Sequence, residues 1–360
     1  MRRGTALGYF LMLLARDPHL TGWFVSLGST CIRTSDPMRL WQNLAFRPVH
    51  CTIKNKRRSA VGTGGSVQFD RLEEIKRLTL IGLFSDDDLM DTLVLKGGNA
   101  LDLVYRIAPR ASIDIDLSLE TDFDVTQIGQ IRDRIERSLR RVFHERGYEV
   151  FDVILEEKPE VIHPKTPAFW GGYQLQFKVI SAVQFKAGSG GLDELRRTAE
   201  VVGPKNRRTF HVDISRGEYC RGKTPVDLDG YTVYVYTPQM IAFEKPRAIC
   251  QQTEEYCASI GKSHRQARAR DFFDIHTVLE HFRLDVVAPA NLELLSAIFS
   301  AKQVPLHLLR IMRECREFHR PDFISLVQTL KPGVKVHDFD YYFDYVVSQC
   351  DRLAQTLGIV

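Results

Sequence analysis

Between residues 92 and 119 the hydrophobic period of the chain changes twice around a pair of glycines. Thr92-Leu93-Val94-Leu95-Lys96 is a short, almost wholly apolar run, and Gly97-Gly98 follows it directly. Residues 100–106 carry helical spacing with Asn99 placed as the N-cap, and residues 112–119 alternate Ile or Leu with polar side chains. A continuous apolar run of that length suits a buried strand, and strict alternation suits a strand with one apolar face. The segment therefore reads as strand, glycine turn, helix, strand.

The same periodicities extend through the chain from Gln68 onward. Residues 69–83 place Leu72, Ile75, Leu78, Leu80 and Ile81 at helical spacing, and Asp86-Asp87-Asp88 interrupts the pattern. Residues 126–145 predict a charged amphipathic helix, and further strands are expected at 149–155, 173–180, 209–214 and 231–236. Beyond Thr237-Pro238 the pattern turns helical, over 238–259, 266–282, 290–300, 304–317, 321–330 and 338–356. The expected fold class is α+β, a mixed sheet flanked by helices and followed by a helical lobe. The expected domains are an atypical extension at 1–66, an α/β domain at 67–237 and a helical domain at 238–360. No run is long and apolar enough for a transmembrane helix.

The 360 residues carry a net charge of +4, with 44% hydrophobic and 26% charged residues, ordinary for a globular protein. That charge is uneven. Residues 1–66 hold ten Lys/Arg against two Asp/Glu, and the rest holds 39 against 43. The body is slightly acidic, so overall basicity is no sign of nucleic-acid binding. Arg2-Arg3 and the apolar residues 6–15 resemble the start of an export signal, but Arg16-Asp17-Pro18 follows in place of a small-residue cleavage site. Three readings of 1–66 stay open: a poorly ordered or upstream-translated extension, a true signal, and a basic arm built on Lys54-Asn55-Lys56-Arg57-Arg58. Seven scattered cysteines without a CxxC pair fit reduced thiols and a cytoplasmic location better than disulfides or a zinc site. His211 and His264 have no metal-ligand spacing.

The chemistry concentrates at the glycines and at Asp114-Ile115-Asp116. On a strand, residues i and i+2 share a face, so Asp114 and Asp116 are expected to project together, about 6–7 Å apart. Two such carboxylates can hold a hard divalent cation such as Mg²⁺, or Mn²⁺, which would in turn hold nucleotide phosphates. Gly97-Gly98 lets backbone N–H groups approach a triphosphate, and the following helix N-terminus favours its charge. Each feature alone is common in turns and solvated strand edges. Their combination, with 15 residues between Gly98 and Asp114, points to a phosphate cradle facing a metal site.

The stretch LVLKGGNALDLVYRIAPRASIDIDLS resembles the first motif of the polymerase-β-type nucleotidyltransferase superfamily. More narrowly, it resembles the AbiEii/AbiGii toxins of abortive-infection and type IV toxin–antitoxin systems, with the likeness running over roughly residues 68–300. Asn99 stands where many superfamily members have serine. The resemblance implies a third carboxylate on a neighbouring strand. Asp213, in Val212-Asp213-Ile214, has the right setting, and Asp152, in Phe151-Asp152-Val153, competes with it. It implies that Lys96, Gly97, Gly98 and Asn99 lie against nucleotide, and that Lys245 and Arg247, in Glu244-Lys245-Pro246-Arg247, contact or support phosphate. Pro246 between them suggests a kink or a helix start. Arg270-Asp271-Phe272-Phe273-Asp274 resembles a further motif, in which Asp271 and Asp274, on one helical face, order Lys245 or Arg270. The basic residues Lys262, His264, Arg265, Arg268 and Arg270 form either a solvated loop or an RNA-facing edge.

By resemblance, then, the expected activity is Mg²⁺-dependent transfer of a nucleotidyl group from an NTP to an RNA hydroxyl, such as a tRNA 3′ end, or to a protein hydroxyl. Asp114, Asp116 and Asp213 would be the metal ligands, and Lys245 and Asp271 would join them in catalysis. The expected partners are the NTP, the acceptor and a separately encoded antitoxin that need not touch the toxin, with no membrane. Two alternatives from other classes remain at this stage: an NTP-binding module with little catalysis, and a kinase on the same fold.

Overall fold

A computed structural model describes residues 23–27, 30–34, 64–108, 110–160, 164, 166–188, 190–331 and 333–359. Chain contacts separate Met1–Val61 from Gly62–Val360. In the first unit, β1 (Trp23–Leu27) pairs antiparallel with β2 (Thr30–Thr34). The apolar run at 6–15 and the basic run at 54–58 lie outside the described residues.

The second unit opens with α1 (Gly64–Phe84), ahead of the domain start expected at residue 67. Asp86-Asp87-Asp88 does end its pattern, but it also begins another helix, α2 (Asp87–Thr92). There the Asp86 side chain caps by accepting from the Leu89 N–H. Consequently β3 is confined to Leu93–Lys96, all four residues buried. The turn and α3 follow, a helix from Gly97–Asn99 continued by a π-helical Ala100–Val104. Asn99 is thus inside the helix and not its N-cap. Lys96 holds that place with extended backbone and no side-chain cap.

Strand β4 covers Ile115–Leu119, shorter than the expected 112–119. Its predicted first residues are diverted to other partners. The Ser112 carbonyl accepts from Lys76 Nζ at 3.1 Å, and the Asp114 carbonyl accepts from Asn99 Nδ2 at 2.6 Å. Helix α4 (Ile128–Glu145) then returns across the sheet, burying Ile135, Leu139, Val142 and Phe143 at helical spacing. It crosses α1 so closely that a Cβ on Gly82 would meet Leu139 Cδ2 at 2.8 Å.

The remaining strands are β5 (Tyr148–Lys158), β6 (Gly172–Ser181), β7 (Phe210–Ser215), β8 (Thr224–Leu228) and β9 (Tyr231–Val235). They form one seven-stranded sheet in the order β5-β6-β7-β4-β3-β9-β8. Pairing is antiparallel except for β4 with β7 and β3 with β9. Strand β8 was not expected. It is an edge strand with a proline, Pro225, and edges are where a sheet tolerates a missing N–H.

Past the sheet the chain is helical, with α5 (Pro238–Cys250), α6 (Glu254–Ser259), α7 (Ala269–Phe282), α8 (Pro289–Ala301) and α9 (Phe339–Thr356). The single helix expected over 238–259 is broken because Thr253 caps α6 through its side chain. Pro246 neither starts nor ends a helix. The start lies at Thr237, whose side chain caps the Met240 N–H, and α5 runs on through the proline. Residues 304–317 form short turns, including Leu308–Ile311 and Arg316–His319, in place of one helix. Phe272 of α7 packs on Phe343 and Phe339 of α9 at 5.1 and 5.6 Å between ring centroids. Among the described residues no helix is long and apolar enough to cross a membrane.

Candidate functional site

A cavity of about 890 Å³ opens beside the central strands β3, β4 and β7, with side chains of α5 and the start of α7 also lining it. That volume lies toward the upper end of ordinary ligand clefts, roughly 300–1,000 Å³. Gly97, Gly98, Asp114, Asp116, Asp213, Lys245 and Asp271 all face it, so the two halves of the sequence pattern meet at one place.

Gly97 has φ +67°, a left-handed conformation, and a Cβ there would stand 2.7 Å from Asp116 Oδ2. Glycine is needed on both counts. At Gly98 a Cβ would come within 2.9 Å of Ser112 Oγ. The turn thereby brings bare backbone against the carboxylate strand.

Asp116 and Asp213 are direct neighbours, in register across the parallel strands β4 and β7. Burial pushes the Asp116 carboxyl up to about 6; Lys96 opposes this and the nearby Asp213 charge adds to it. Asp152, the competing candidate, is elsewhere: it sits at a bulge of β5 with both oxygens held by Arg196, at 2.6 and 3.0 Å. It does not line the cavity.

Asp114 departs from its expected position. It precedes β4, and its Oδ1 accepts from Arg207 Nη2 at 2.6 Å. Asp213 Oδ1 accepts from Gln174 Nε2 at 2.9 Å. Among the described residues, no three His, Cys, Asp or Glu side chains gather closely enough to hold a metal ion. Asp116 and Asp213 are a fitting pair of oxygen donors for a hard cation. The third candidate carboxylate is turned toward an arginine.

Opposite the sheet, α5 and α7 build a buried ionic network. Lys245 Nζ lies 2.8 Å from both Asp271 Oδ1 and Asp274 Oδ2. Arg110 Nε and Nη2 bond both oxygens of Asp274 at 2.9 and 2.6 Å, and Arg268 pairs with Asp271. Burial alone would lower the Lys245 pKa, but Asp271 and Asp274 hold it well above its ordinary value. Burial likewise would raise Asp271, and Arg268 and Lys245 hold it far below. Lys245 is therefore a fixed ammonium at neutral pH. Asp274 bonds to Arg110 and Lys245 and does not line the cavity. Arg268 and Arg110, rather than Arg270, are the arginines ordered by the two aspartates. Arg270 stands exposed at the cavity rim.

A second buried network forms part of the wall. Lys96 Nζ and Arg247 Nη2 each bond the Glu218 carboxylate, at 3.1 Å in both cases, and Lys302 Nζ lies 3.7 Å from it. Burial would raise the Glu218 pKa, yet Arg247, Lys96 and Lys302 bring it down to about 2. Burial pushes Lys302 down to about 8. Lys96 and Arg247 thus line the cavity as members of an ion cluster, with their charges directed at Glu218. Asn99, fully buried, anchors the Asp114 carbonyl and does not line the cavity. In the basic stretch, Lys262 bonds Gln252 Oε1 at 2.9 Å and Arg265 bonds Glu254 Oε1 at 2.7 Å.

Four further residues of the site carry no sequence signal of their own: Arg110, Arg207, Glu218 and Lys302. Arg110 lies inside the quoted IAPRAS stretch, but its pairing with Asp274, far along the chain, carries no local signal. Glu218 and Lys302 are lone charges in irregular sequence, where a solvated role is the ordinary expectation.

A family sequence profile described as "Nucleotidyl transferase AbiEii toxin, Type IV TA system" matches residues 79–345. No curated protein sequence matches. Among solved structures, JHP933 from Helicobacter pylori is 16% identical, covering 81% of this chain and 94% of its own, with a TM-score of 0.41. An antigenic nucleotidyltransferase-like protein from Paracoccidioides brasiliensis is 16% identical over 71% of this chain and 93% of its own, with a TM-score of 0.32. The structure of ANT(2")-Ia in complex with adenylyl-2"-tobramycin is 12% identical over 65% and 99%, with a TM-score of 0.30. The profile spans most of the sheet and helices that build the cavity, and this chain belongs to the AbiEii nucleotidyltransferase toxin family of type IV toxin–antitoxin systems.

Proposed function

We propose that the protein transfers a nucleotidyl group from an NTP to a hydroxyl of an RNA, such as a tRNA 3′ end, or of a protein. The supporting observation is the pair Asp116 and Asp213, in register on adjacent parallel strands, sharing one cavity with the buried ammonium of Lys245. Asp116 and Asp213, with Asp114 once it parts from Arg207, are the residues that would hold Mg²⁺ or Mn²⁺, which when bound supplies charge for the triphosphate and for the attacking oxygen.

The remaining roles belong to the chain itself. Asp213, exposed at the cavity wall, is placed to accept the proton of the acceptor hydroxyl. The hydroxyl oxygen bonds to the α-phosphorus as the α–β bridging bond breaks and pyrophosphate leaves. Gly97 and Gly98 admit the phosphates close to the backbone, and Lys245 faces the charge that accumulates on them. Loss of one such preorganised charge typically costs about 10²–10³ in rate. The charges around Glu218 and Asp274 keep Lys96, Arg247 and Arg110 in place. In its biological setting the protein acts in the cytoplasm as a growth-arresting toxin during phage attack, opposed by a separately encoded antitoxin.

Incubation with each NTP, Mg²⁺ and total RNA tests the activity. Label from an α-³²P NTP appearing in RNA or in protein supports transfer and names the acceptor class. Label appearing only from γ-³²P shows a kinase instead, and NTP binding with no label in either form shows a binding module.

A further inference from the structure

The cleft contains three carboxylates suited to a cation, yet it does not gather them. Asp114 is instead paired with Arg207. Residues 203–207 form a tight bracket in which the Val202 N–H donates to the Arg207 carbonyl at 2.8 Å and the Arg207 N–H donates to the Pro204 carbonyl at 3.1 Å. Lys205 and Asn206 at its tip have φ of +55° and +59°. From this bracket the guanidinium packs against Gly203, where a Cβ would meet Arg207 Nε at 2.6 Å. Pro204 and Arg207 line the same cavity as Gly97 and Asp116.

We propose that Arg207 and a divalent cation compete for the Asp114 carboxylate. When a cation enters with a nucleoside triphosphate, the guanidinium is displaced and binds a phosphate of that nucleotide. This rests on the metal and nucleotide assignment above and extends it to a residue outside the recognised motifs.

Three observations carry the exchange. The contact with Asp114 is a single Nη2–Oδ1 bond at 2.6 Å between side chains 28% and 39% exposed, not the bidentate fork that fixes an arginine on a carboxylate. Arg207 Nε is buried without a hydrogen-bond partner, so the guanidinium has an unused donor in this position. Finally, the backbone is pinned at both the N–H and the carbonyl, so a switch of partner needs only side-chain rotation. Electrostatics favours the order of events. A dication replaces a monocation beside Asp114, and the released guanidinium keeps a counter-charge by turning to phosphate, which it can bind through paired N–H groups.

The test uses the full chain as wild type, Arg207→Ala, Arg207→Gln and Asp114→Asn. Mn²⁺ binding is read from loss of the free-ion EPR signal, first without nucleotide. Binding of the α,β-methylene analogues of the four NTPs is then read by calorimetry in Mn²⁺. Both Arg207 variants should bind Mn²⁺ alone at least fivefold more tightly than wild type, and the analogue at least fivefold more weakly. These opposite shifts are not expected of a residue that merely holds the loop. Unchanged or weakened Mn²⁺ binding in both Arg207 variants overturns the exchange at Asp114. Tighter Mn²⁺ binding with unchanged analogue binding overturns the phosphate contact. Failure of the underlying metal assignment looks different: in the presence of the analogue, Asp114→Asn would then bind Mn²⁺ as wild type does, whatever the arginine variants do.

Discussion

A Cβ on Gly97 would stand 2.7 Å from Asp116 Oδ2, so the glycine turn and the central carboxylate of the cavity are in steric contact. The turn is therefore a spacer that sets where Asp116 lies, as well as the first turn of α3 directly after β3. Gly97→Ala should cost about 1–2 kcal/mol for a left-handed backbone at φ +67°. It should also push Asp116 aside, and a displacement near 1 Å can cost about 10² in rate. A thermal melt together with nucleotidyl transfer would check this. A variant with normal transfer would show that the contact has no influence on the carboxylate.

Lys245 should matter to the fold as much as to the cleft. Lys245→Met removes the ammonium 2.8 Å from both Asp271 and Asp274 and leaves two buried carboxylates with fewer partners. Breaking a buried ion pair from one side costs about 3–5 kcal/mol. Adding Asp271→Asn should recover part of that stability and none of the transfer. Denaturant midpoints of the single and double variants measure the first, and labelling the second.

His319 predicts an acid-sensitive helix start at α7. It is fully buried, and its Nδ1 accepts the Arg268 N–H at 3.0 Å. Burial pushes its pKa down to about 4 from an ordinary 6.5, with Asp271 opposing the shift and Arg268 adding to it. The unfolded chain thus binds this proton first as pH falls. The neutral histidine contributes stability above pH 6.5, and that contribution is lost as pH falls toward 4, by about 3 kcal/mol in all. Melting temperature should fall across that window, and more steeply for wild type than for His319→Gln. Parallel curves would contradict the assignment.

Glu218 should behave as a structural acid. Its pKa, held at about 2 by Arg247, Lys96 and Lys302 against burial, lies below the ordinary 4.5. Its charge therefore stabilises the fold above pH 4.5, and this is lost as pH falls from 4.5 toward 2. Glu218→Gln leaves Lys96 and Arg247 without their shared counter-ion. It should lower the melting temperature at pH 7 by an amount that shrinks below pH 4.5.

The sequence was most informative where local pattern and global position coincide. The run from Leu93 to Lys96, the glycine turn and the alternation ending at Leu119 are local signals; both strands form, and the sheet order places them at its centre. The family likeness rested on the same residues. Boundaries failed where a single side chain redirected the backbone, as with Asp86 capping α2, Thr253 splitting the long helix, and Asn99 drawing the Asp114 carbonyl out of the ladder. Site residues were hidden where their partners are remote. Arg110 meets Asp274 across 164 positions, Lys96 meets Glu218 across 122, and Arg207 meets Asp114 across 93. No local period encodes such pairings, because they arise from tertiary packing alone. Asp213 was named through the family resemblance, since Asp152 has equally apolar flanks. The register of Asp213 with Asp116 required the sheet order.

The most direct measurement is transfer of α-³²P label from NTP to RNA or protein by purified Asp116→Asn and Asp213→Asn proteins, assayed beside wild type in Mg²⁺. Both substitutions remove one charge and keep the side-chain shape, so the melts should show the fold intact. Wild type should label an acceptor, and each variant should lose about 10² or more of that rate, on the scale of a lost preorganised charge. Near-wild-type labelling by either folded variant would contradict the assignment of this carboxylate pair as the centre of the reaction.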